Sequence, residues 1–331
     1  MLPSLAQMTH LVVYQSSTEV SSDRHLFFDK SLTFVLLGTY VRTVAIDRLI
    51  ENFINARPEQ IVQIISLGAG TDTRFFRYLD RGHADQIMYH EIDFPVISKN
   101  KLAHIRASQM LSHPGTGFYE LHGAEAQDIN PETTKWGYYA DDTKRTGYMF
   151  HPMDLRRLPD EINGIRRDVP TVIVSECCLC YLAKEEADKV LSYFTKRIPT
   201  IGIILYEPTN PTDSFGRMMT ANLASRRLAM PSIHAYSSLD AQMDRLKDLG
   251  FEMFQEGASI DWLWMNWIMD DEKFRLSRLQ MFDEEEEWKM LASHYLVCWA
   301  VREGREDDAA FEGWDGLEGE EERRIRETDE E

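Results

Sequence analysis

Basic residues are in short supply. The 331-residue chain sets 36 Lys and Arg against 55 Asp and Glu, a formal charge of −19, and gathers its cations into no stripe. A field of that sign repels phosphate, which argues against DNA or RNA as a partner. Long apolar runs are also missing: a bilayer span needs roughly 20 apolar residues, and the run Leu32–Leu37 near the start falls far short. No membrane partner is expected. The first Lys or Arg is Arg24, and no charged segment leads into an apolar one, so no cleaved secretory signal is visible and the expected location is cytoplasmic, or cytoplasmic and nuclear. Cysteine is scarce, at four, too few for an extracellular disulfide framework. Strand alternation would send Cys177 to one face and Cys178 and Cys180 to the other, which makes no tetrahedral cage. No metal site is expected, and these thiols and Cys298 are read as reduced, packed as small hydrophobes.

What is present is core-forming material, with 43% hydrophobic residues. Strand-like and helix-like periods alternate along the chain, the pattern of an α/β sheet with crossover helices. Strands are predicted over Ile61–Leu67, Gln86–Ile92, Tyr148–Met153, Thr171–Ser175, Ile201–Tyr206, Phe251–Glu256 and Tyr295–Val301, the first five parallel. Helices are predicted over Val41–Asn55, Thr73–Leu79, Pro95–Met110, Lys184–Arg197, Ser214–Arg226, Ser238–Leu249 and Lys273–Ala292. Between about Leu111 and Gly147 the rhythm breaks and predicts a long connection or lid fragment. Residues 303–331 carry about half of the net charge with scant apolar content, which predicts a disordered acidic tail.

The stretch richest in chemistry is Ile64-Ile65-Ser66-Leu67-Gly68-Ala69-Gly70-Thr71-Asp72-Thr73-Arg74, an apolar strand running into a Gly-x-Gly turn and a helix. Such a turn lets a ligand approach the backbone at the end of the first strand. Asp93 ends the second strand, where a carboxylate can accept both hydroxyls of a ribose. A dinucleotide fingerprint would place a third Gly where Thr73 stands, and Asp72 puts negative charge where a pyrophosphate would sit. S-adenosylmethionine carries no phosphate and meets neither objection. Asp154 and Glu176 terminate further strands over the same crevice. Asp154 is placed to accept from an adenine amino group with Leu155 against the ring, and Glu176 to pair with the methionine ammonium.

Leu67-Gly68-Ala69-Gly70-x-Asp72-Thr73, Glu91-x-Asp93-Phe94-Pro95, Asp154-Leu155-Arg156, Ser175-Glu176-Cys177-x-x-x-Tyr181, Tyr206-Glu207 with Pro211, Asp213, Phe215-Gly216, Met219 and Asn222-Leu223, and Ser293-His294-Tyr295-x-x-Cys298-Trp299-Ala300 together resemble the leucine carboxyl methyltransferases. The resemblance runs from about Gly38 to Arg302. It implies a methyltransferase Rossmann-like fold, with a seven-stranded, mostly parallel sheet, helices on both faces and an added helical lid. Its domain would span 38–302, after an atypical N-terminal segment over 1–37. It also implies S-adenosyl-L-methionine as methyl donor, bound by Arg42, Gly68, Ala69, Gly70, Asp93, Asp154, Leu155 and Glu176. The acceptor would be the C-terminal leucine of the type 2A protein phosphatase catalytic subunit, with Arg42 and Tyr181 as catalytic residues beside its carboxylate. The Asp213–Leu223 helix would help wall the pocket for that tail, and the chain would work as a monomer. The sequence departs from the family before Gly38, where a donor-contacting Lys is usual; Lys30 stands in no matching context.

A leucine carboxylate, with a pKa of roughly 3.5, is already a nucleophile at neutral pH, so no general base is required and no triad is expected. Arg42 would orient the acceptor rather than activate it, because too tight an ion pair quenches nucleophilicity. Two other readings stay open at this point: a dehydrogenase on a dinucleotide fold, and a protein that binds the donor or the phosphatase tail with impaired turnover.

Overall fold

The computed structural model describes residues 30–108, 119–121, 136–139, 145–226, 228–278, 285–304, 310–314 and 316–320. At its centre lies β1 (Val62–Leu67), in which every residue is buried. An apolar run this continuous suits a strand covered on both faces, where alternation has nothing polar to point at. Strands β2 (Ile87–Asp93) and β6 (Thr171–Glu176) flank it in parallel; β5 (Gly147–Pro152) continues beyond β2, and β7 (Ile201–Pro208) beyond β6, again in parallel. Strands β9 (Tyr295–Arg302) and β8 (Phe254–Ser259) close that edge antiparallel. All seven expected strands are therefore in one sheet, and the first five are parallel. Two short strands within the expected irregular stretch, β3 (Tyr119–Leu121) and β4 (Trp136–Tyr139), extend the opposite edge antiparallel to give, among the described residues, nine strands in the order β3-β4-β5-β2-β1-β6-β7-β9-β8. Strands so short show no period-2 signal.

Successive residues of each strand feed separate cores. Val172 and Val174, Ile204 and Tyr206, and Val297, Trp299 and Val301 face one layer; Ile173, Ile203 and Leu205, and Leu296, Cys298 and Ala300 face the other. The first layer is covered by α1 (Lys30–Ala56), α2 (Arg74–Asp80) and α3 (Pro95–Ala107), together with α7 (Ile260–Trp267) and α9 (Glu285–Ala292). The second is covered by α4 (Lys184–Thr195) and α6 (Leu239–Asp248). A separate helix, α5 (Ser214–Ser225), belongs to a small third cluster of Cys180, Met219, Met230 and Ile233. The chain leaves β1 toward β2 and β5 and returns on the far side to β6 and β7, so the crevice between the carboxyl ends of β1 and β6 is the topological switch point where α/β sheets bind ligands.

Several boundaries are corrected. Residues 1–29 of the expected N-terminal segment lie outside the described residues, and the limit at 37/38 falls inside α1, which runs unbroken from Lys30. The helix expected over Lys273–Ala292 is α8 (Asp270–Ser277) and α9, with 279–284 outside the described residues. Helix α7, which carries Trp262, Trp264 and Trp267, lies outside the predicted helix spans; Ser259 caps it by accepting from Trp262 N (3.2 Å).

The expected disordered tail is corrected in its described part. Trp314 is buried and donates from Nε1 to Leu49 O at 2.7 Å, while Phe311 stacks on Phe53 with ring centroids 5.0 Å apart. Glu320 accepts from Ser259 N and Oγ at 3.1 and 3.0 Å. Burying each aromatic side chain is worth roughly 1.5–3 kcal/mol, enough for a few apolar residues to hold a largely acidic strap against α1.

Candidate active site

Leu67 ends β1, and the chain then turns through Gly68 (φ +61°) and Gly70 (φ +50°), both left-handed and open to glycine at little cost. Gly68 donates to Ile92 O at 2.8 Å, and a Cβ built on it would lie 2.5 Å from Cys178 Sγ. Gly70 N donates to Asp93 Oδ2 at 2.7 Å, and Phe94 N to Asp93 Oδ1 at 2.6 Å. One N–H therefore pins each Asp93 oxygen and leaves each with acceptor capacity for a hydroxyl. Gly68, Ala69, Gly70 and Asp93 thus form one ledge over the switch-point crevice.

Asp154 lies two residues beyond Pro152, which pairs with Asp93 across β5 and β2. Its carboxylate caps the short turn Leu155–Arg157, accepting from Arg156 N at 3.0 Å, and takes the Arg156 guanidinium at 2.7–3.1 Å. Hydrogen bonding from Arg156 holds it below the ordinary carboxylate range. Leu155 packs against the second core layer.

Glu176 closes β6, and here the expectation changes. Oε1 is in close contact with Arg74 Nη1, and Oε2 lies 3.1 Å from Arg42 Nε. Rather than awaiting an ammonium group alone, this carboxylate already sits between two guanidinium groups. Arg74 is buried and also reaches Asp47 on α1 at 2.8 Å and Asp72 at 3.2 Å. Arg77 adds a second cation to Asp47. Asp72 accepts from Arg74 N (2.9 Å) and Tyr89 OH (2.8 Å). Burial works against its charge, but Arg74, Lys101 and these hydrogen bonds overcome that and hold the carboxyl well below its usual range.

Arg42 reaches the site from α1. Its guanidinium lies 5.1 Å from the centroid of Tyr206, which stacks on Tyr295 at 5.4 Å and 11°. The Nε atom lies 3.1 Å from Glu176 Oε2, and the side chain as a whole is 28% exposed. A guanidinium has five N–H donors, so one engaged at Nε still has others to offer an incoming carboxylate. Beside it, Cys177, Phe215, Met219, Leu223 and Tyr295 make an apolar wall, and Tyr181, 42% exposed, stands nearby on the turn Leu179–Tyr181. Burial raises the Tyr181 phenol above its ordinary value.

Cys177 takes φ +45°, a left-handed conformation uncommon outside glycine. The strand ends one residue earlier, so alternation lapses: Cys180 packs with Cys177 and not, as alternation predicts, with Cys178. All four cysteines are free thiols. Buried Glu207 receives the backbone N–H groups of Leu179 and Cys180, and burial pushes its carboxyl up to about 7.

Sequence reasoning missed Arg74, Asp47 and Arg77. One signal was present: Arg74 opens α2, and a cation at the positive end of a helix dipole needs anions to hold it there.

The sequence model of the family described as leucine carboxyl methyltransferase matches residues 13–195. Leucine carboxyl methyltransferase 1 of Aspergillus fumigatus is 38% identical over 322 residues, covering 88% of this chain and 78% of that protein. The Arabidopsis thaliana homolog is 33% identical, covering 84% and 81%, and the Rattus norvegicus protein 30%, covering 81% and 78%. Among solved structures, the plantazolicin methyltransferase BamL, in complex with a desmethyl analog and SAH, aligns over 83% of this chain and 91% of its own at 8% identity and a TM-score of 0.48.

Proposed function

This chain belongs to the leucine carboxyl methyltransferase family, and from that premise we propose that it methylates the C-terminal leucine carboxylate of the type 2A protein phosphatase catalytic subunit. One observation carries the acceptor: the partly exposed Arg42 guanidinium, seated over Tyr206, adjoins the apolar wall of Cys177, Phe215, Met219, Leu223 and Tyr295. An anion-binding group beside an apolar wall is what a terminal leucine offers a match for.

The donor ledge fits S-adenosylmethionine. Asp93 retains acceptor capacity for two ribose hydroxyls, and Asp72 occupies with negative charge the turn that a dinucleotide would need for its pyrophosphate. Leu155 and Asp154 would border the adenine, and Glu176, held by Arg74 and Arg42, would face the amino-acid end. The bound donor supplies an electrophilic methyl group. A carboxylate oxygen forms a bond to that carbon as the carbon–sulfur bond breaks, and no proton moves. The residues' work is therefore positional: Arg42 and Tyr181 orient the acceptor, while the apolar wall excludes water, a contribution that can reach several kcal/mol. We place this activity in the cytoplasm, or in cytoplasm and nucleus, as free thiols suggest.

The test is label transfer from tritiated donor to the phosphatase catalytic subunit and to the same subunit lacking its last residue. Alkali-labile label on the first alone is expected. Alkali-stable label, or equal label on both, refutes the reading. Donor binding without transfer would instead make the chain a non-catalytic binder. Arg42→Ala should lower transfer far more than thermal stability; parallel losses would make that residue structural.

A further inference from the structure

His294 lies outside the donor ledge but touches the element that walls the acceptor side. It is 3% exposed, between α9 and β9. Its Nδ1 is 2.6 Å from Met290 O, and its Nε2 is 3.0 Å from both Asp213 Oδ1 and Oδ2. Both ring nitrogens face oxygens, so the ring bridges Met290 on α9 and Asp213. Asp213 is the N-cap of α5, accepting from Gly216 N at 2.7 Å, and Phe215 in the first turn of that helix packs on the same histidine, the two rings 4.5 Å apart and tilted by 47°. The seat beneath is tight: a Cβ on Gly216 would come within 1.9 Å of Asn210 O. Asn210 is itself tied to Ser293 O through Nδ2 (3.1 Å), and Thr209 N donates to His294 O at 2.9 Å. Helix α5 is thereby anchored to the start of β9 at one end, and along its length it supplies Phe215, Met219 and Leu223 to the apolar wall. Tyr295, the next residue after His294, packs against the same cluster and stacks on Tyr206 beneath Arg42.

We propose that His294 is a positioning residue for the acceptor: by holding Asp213, and through it α5, against the root of Tyr295, it fixes how Phe215, Met219 and Leu223 sit beside Tyr295 in the apolar wall and so the selectivity for the terminal side chain. The proposal rests on the acceptor reading above. It predicts a division of labour, because the side-chain hydrogen bonds and ring contacts of His294 and Asp213 run to each other and to Met290, Gly216 and Phe215, none of which belongs to the donor ledge.

The experiment compares wild type, His294→Phe, Asp213→Asn and the double variant. Phenylalanine keeps the ring against Phe215 and removes both nitrogen contacts; asparagine keeps a capping oxygen, since Asn and Asp cap about equally well, and removes the charge. Each protein is assayed with the full phosphatase catalytic subunit ending in Leu and with one ending in Phe, alongside adenosylhomocysteine calorimetry and amide exchange over 212–225. For His294→Phe we expect the KM of the Leu-ending subunit to rise about tenfold with kcat nearly kept, a signature of lost binding shared by ground and transition states. The Leu-over-Phe preference should narrow, adenosylhomocysteine affinity should stay within about twofold, and exchange should quicken only in α5. Residues acting as one unit are non-additive, so the double variant should be no worse than His294→Phe. Weakened adenosylhomocysteine binding in proportion to KM, or unchanged KM and unchanged α5 exchange, overturns the proposal. Should even wild type methylate neither subunit, the acceptor reading fails, and α5 exchange still decides whether His294 holds the helix: quickened exchange upholds the clamp, and unchanged exchange removes it.

Discussion

Arg74→Met tests the charge cluster that joins α1 to the ends of β1 and β6. The Arg74 side chain is 4% exposed and faces three carboxylates, Asp47 at 2.8 Å, Asp72 at 3.2 Å and Glu176 in close contact. Methionine fills much of the same volume and removes the cation. Asp47 keeps Arg77, and Glu176 keeps Arg42, whereas Asp72 keeps as its hydrogen-bond donor the Tyr89 hydroxyl and the backbone N–H of residue 74. Removing one partner from a buried ion set costs about 3–5 kcal/mol, and the loss here should fall mainly on Asp72. Its pH dependence gives the reasoning a second handle. In the wild type the folded Asp72 carboxyl lies below its unfolded value, so its contribution is present above pH ~4 and is lost as pH falls through the folded value. In the variant, burial without Arg74 should raise the folded value above the unfolded one, so the penalty appears only as pH climbs past ~4. The difference between the two proteins should therefore be greatest near neutrality and shrink toward pH 4. Urea unfolding between pH 4 and pH 8 measures it, with adenosylhomocysteine calorimetry expected to show at least about a tenfold loss of affinity, ~1.4 kcal/mol, as Glu176 and Arg42 shift. A stability loss below ~1 kcal/mol at neutral pH, or one that does not change with pH, would refute the account of Arg74 as the tie.

Glu207→Gln should stabilise the protein at alkaline pH. The folded carboxyl is pushed up to about 7 by burial, so the folded state holds its proton more tightly and stability falls as pH rises from ~4.3 toward that value, by at most roughly 3 kcal/mol. Glu91, also raised to about 7, contributes a like slope, so urea midpoints across pH 4–8 should show the slope reduced in the variant, not abolished; an unchanged slope contradicts the assignment. Gly68→Ala should abolish adenosylhomocysteine binding at micromolar donor, because the added carbon meets Cys178 Sγ at 2.5 Å and φ is +61°. Adding Cys178→Ala should restore part of the affinity by calorimetry, since it relieves the collision and not the backbone strain, and full restoration would show that φ costs nothing. Trp314→Ala should cost about 3–5 kcal/mol in urea unfolding, as for a core aromatic; a loss within ~0.5 kcal/mol would return this part of the chain to a solvated tail.

How legible each feature was depended on how far away its causes lie. The seven strands could be read because a strand covered on both faces must be apolar at nearly every position, and β1 and β7 are buried throughout. The pairing of Gly70 with Asp93 was readable for a related reason: the two residues close adjacent parallel strands, and the register that sets Leu67 beside Ile92 also brings the turn to the carboxylate. The capping role of Asp154 was readable because it is local, its acceptor group and Arg156 N lying two residues apart. Composition hid the packed strap at 310–320, because averages over an acidic stretch conceal Phe311, Trp314 and Leu317, whose spacing of three residues is that of one apolar face. Glu176 was least readable. Its partners come from α1 and from the start of α2, and no spacing around a strand end announces a cation more than a hundred residues away. That distance has a mechanical meaning. Because Asp47 and Arg42 stand on one helix, and Arg74 grips both Asp47 and the carboxylate facing Arg42, α1 cannot move without shifting Glu176. The helix that carries Arg42 and the strand that ends at the donor crevice are therefore one unit, and the residue uniting them is one that motif reading passed over.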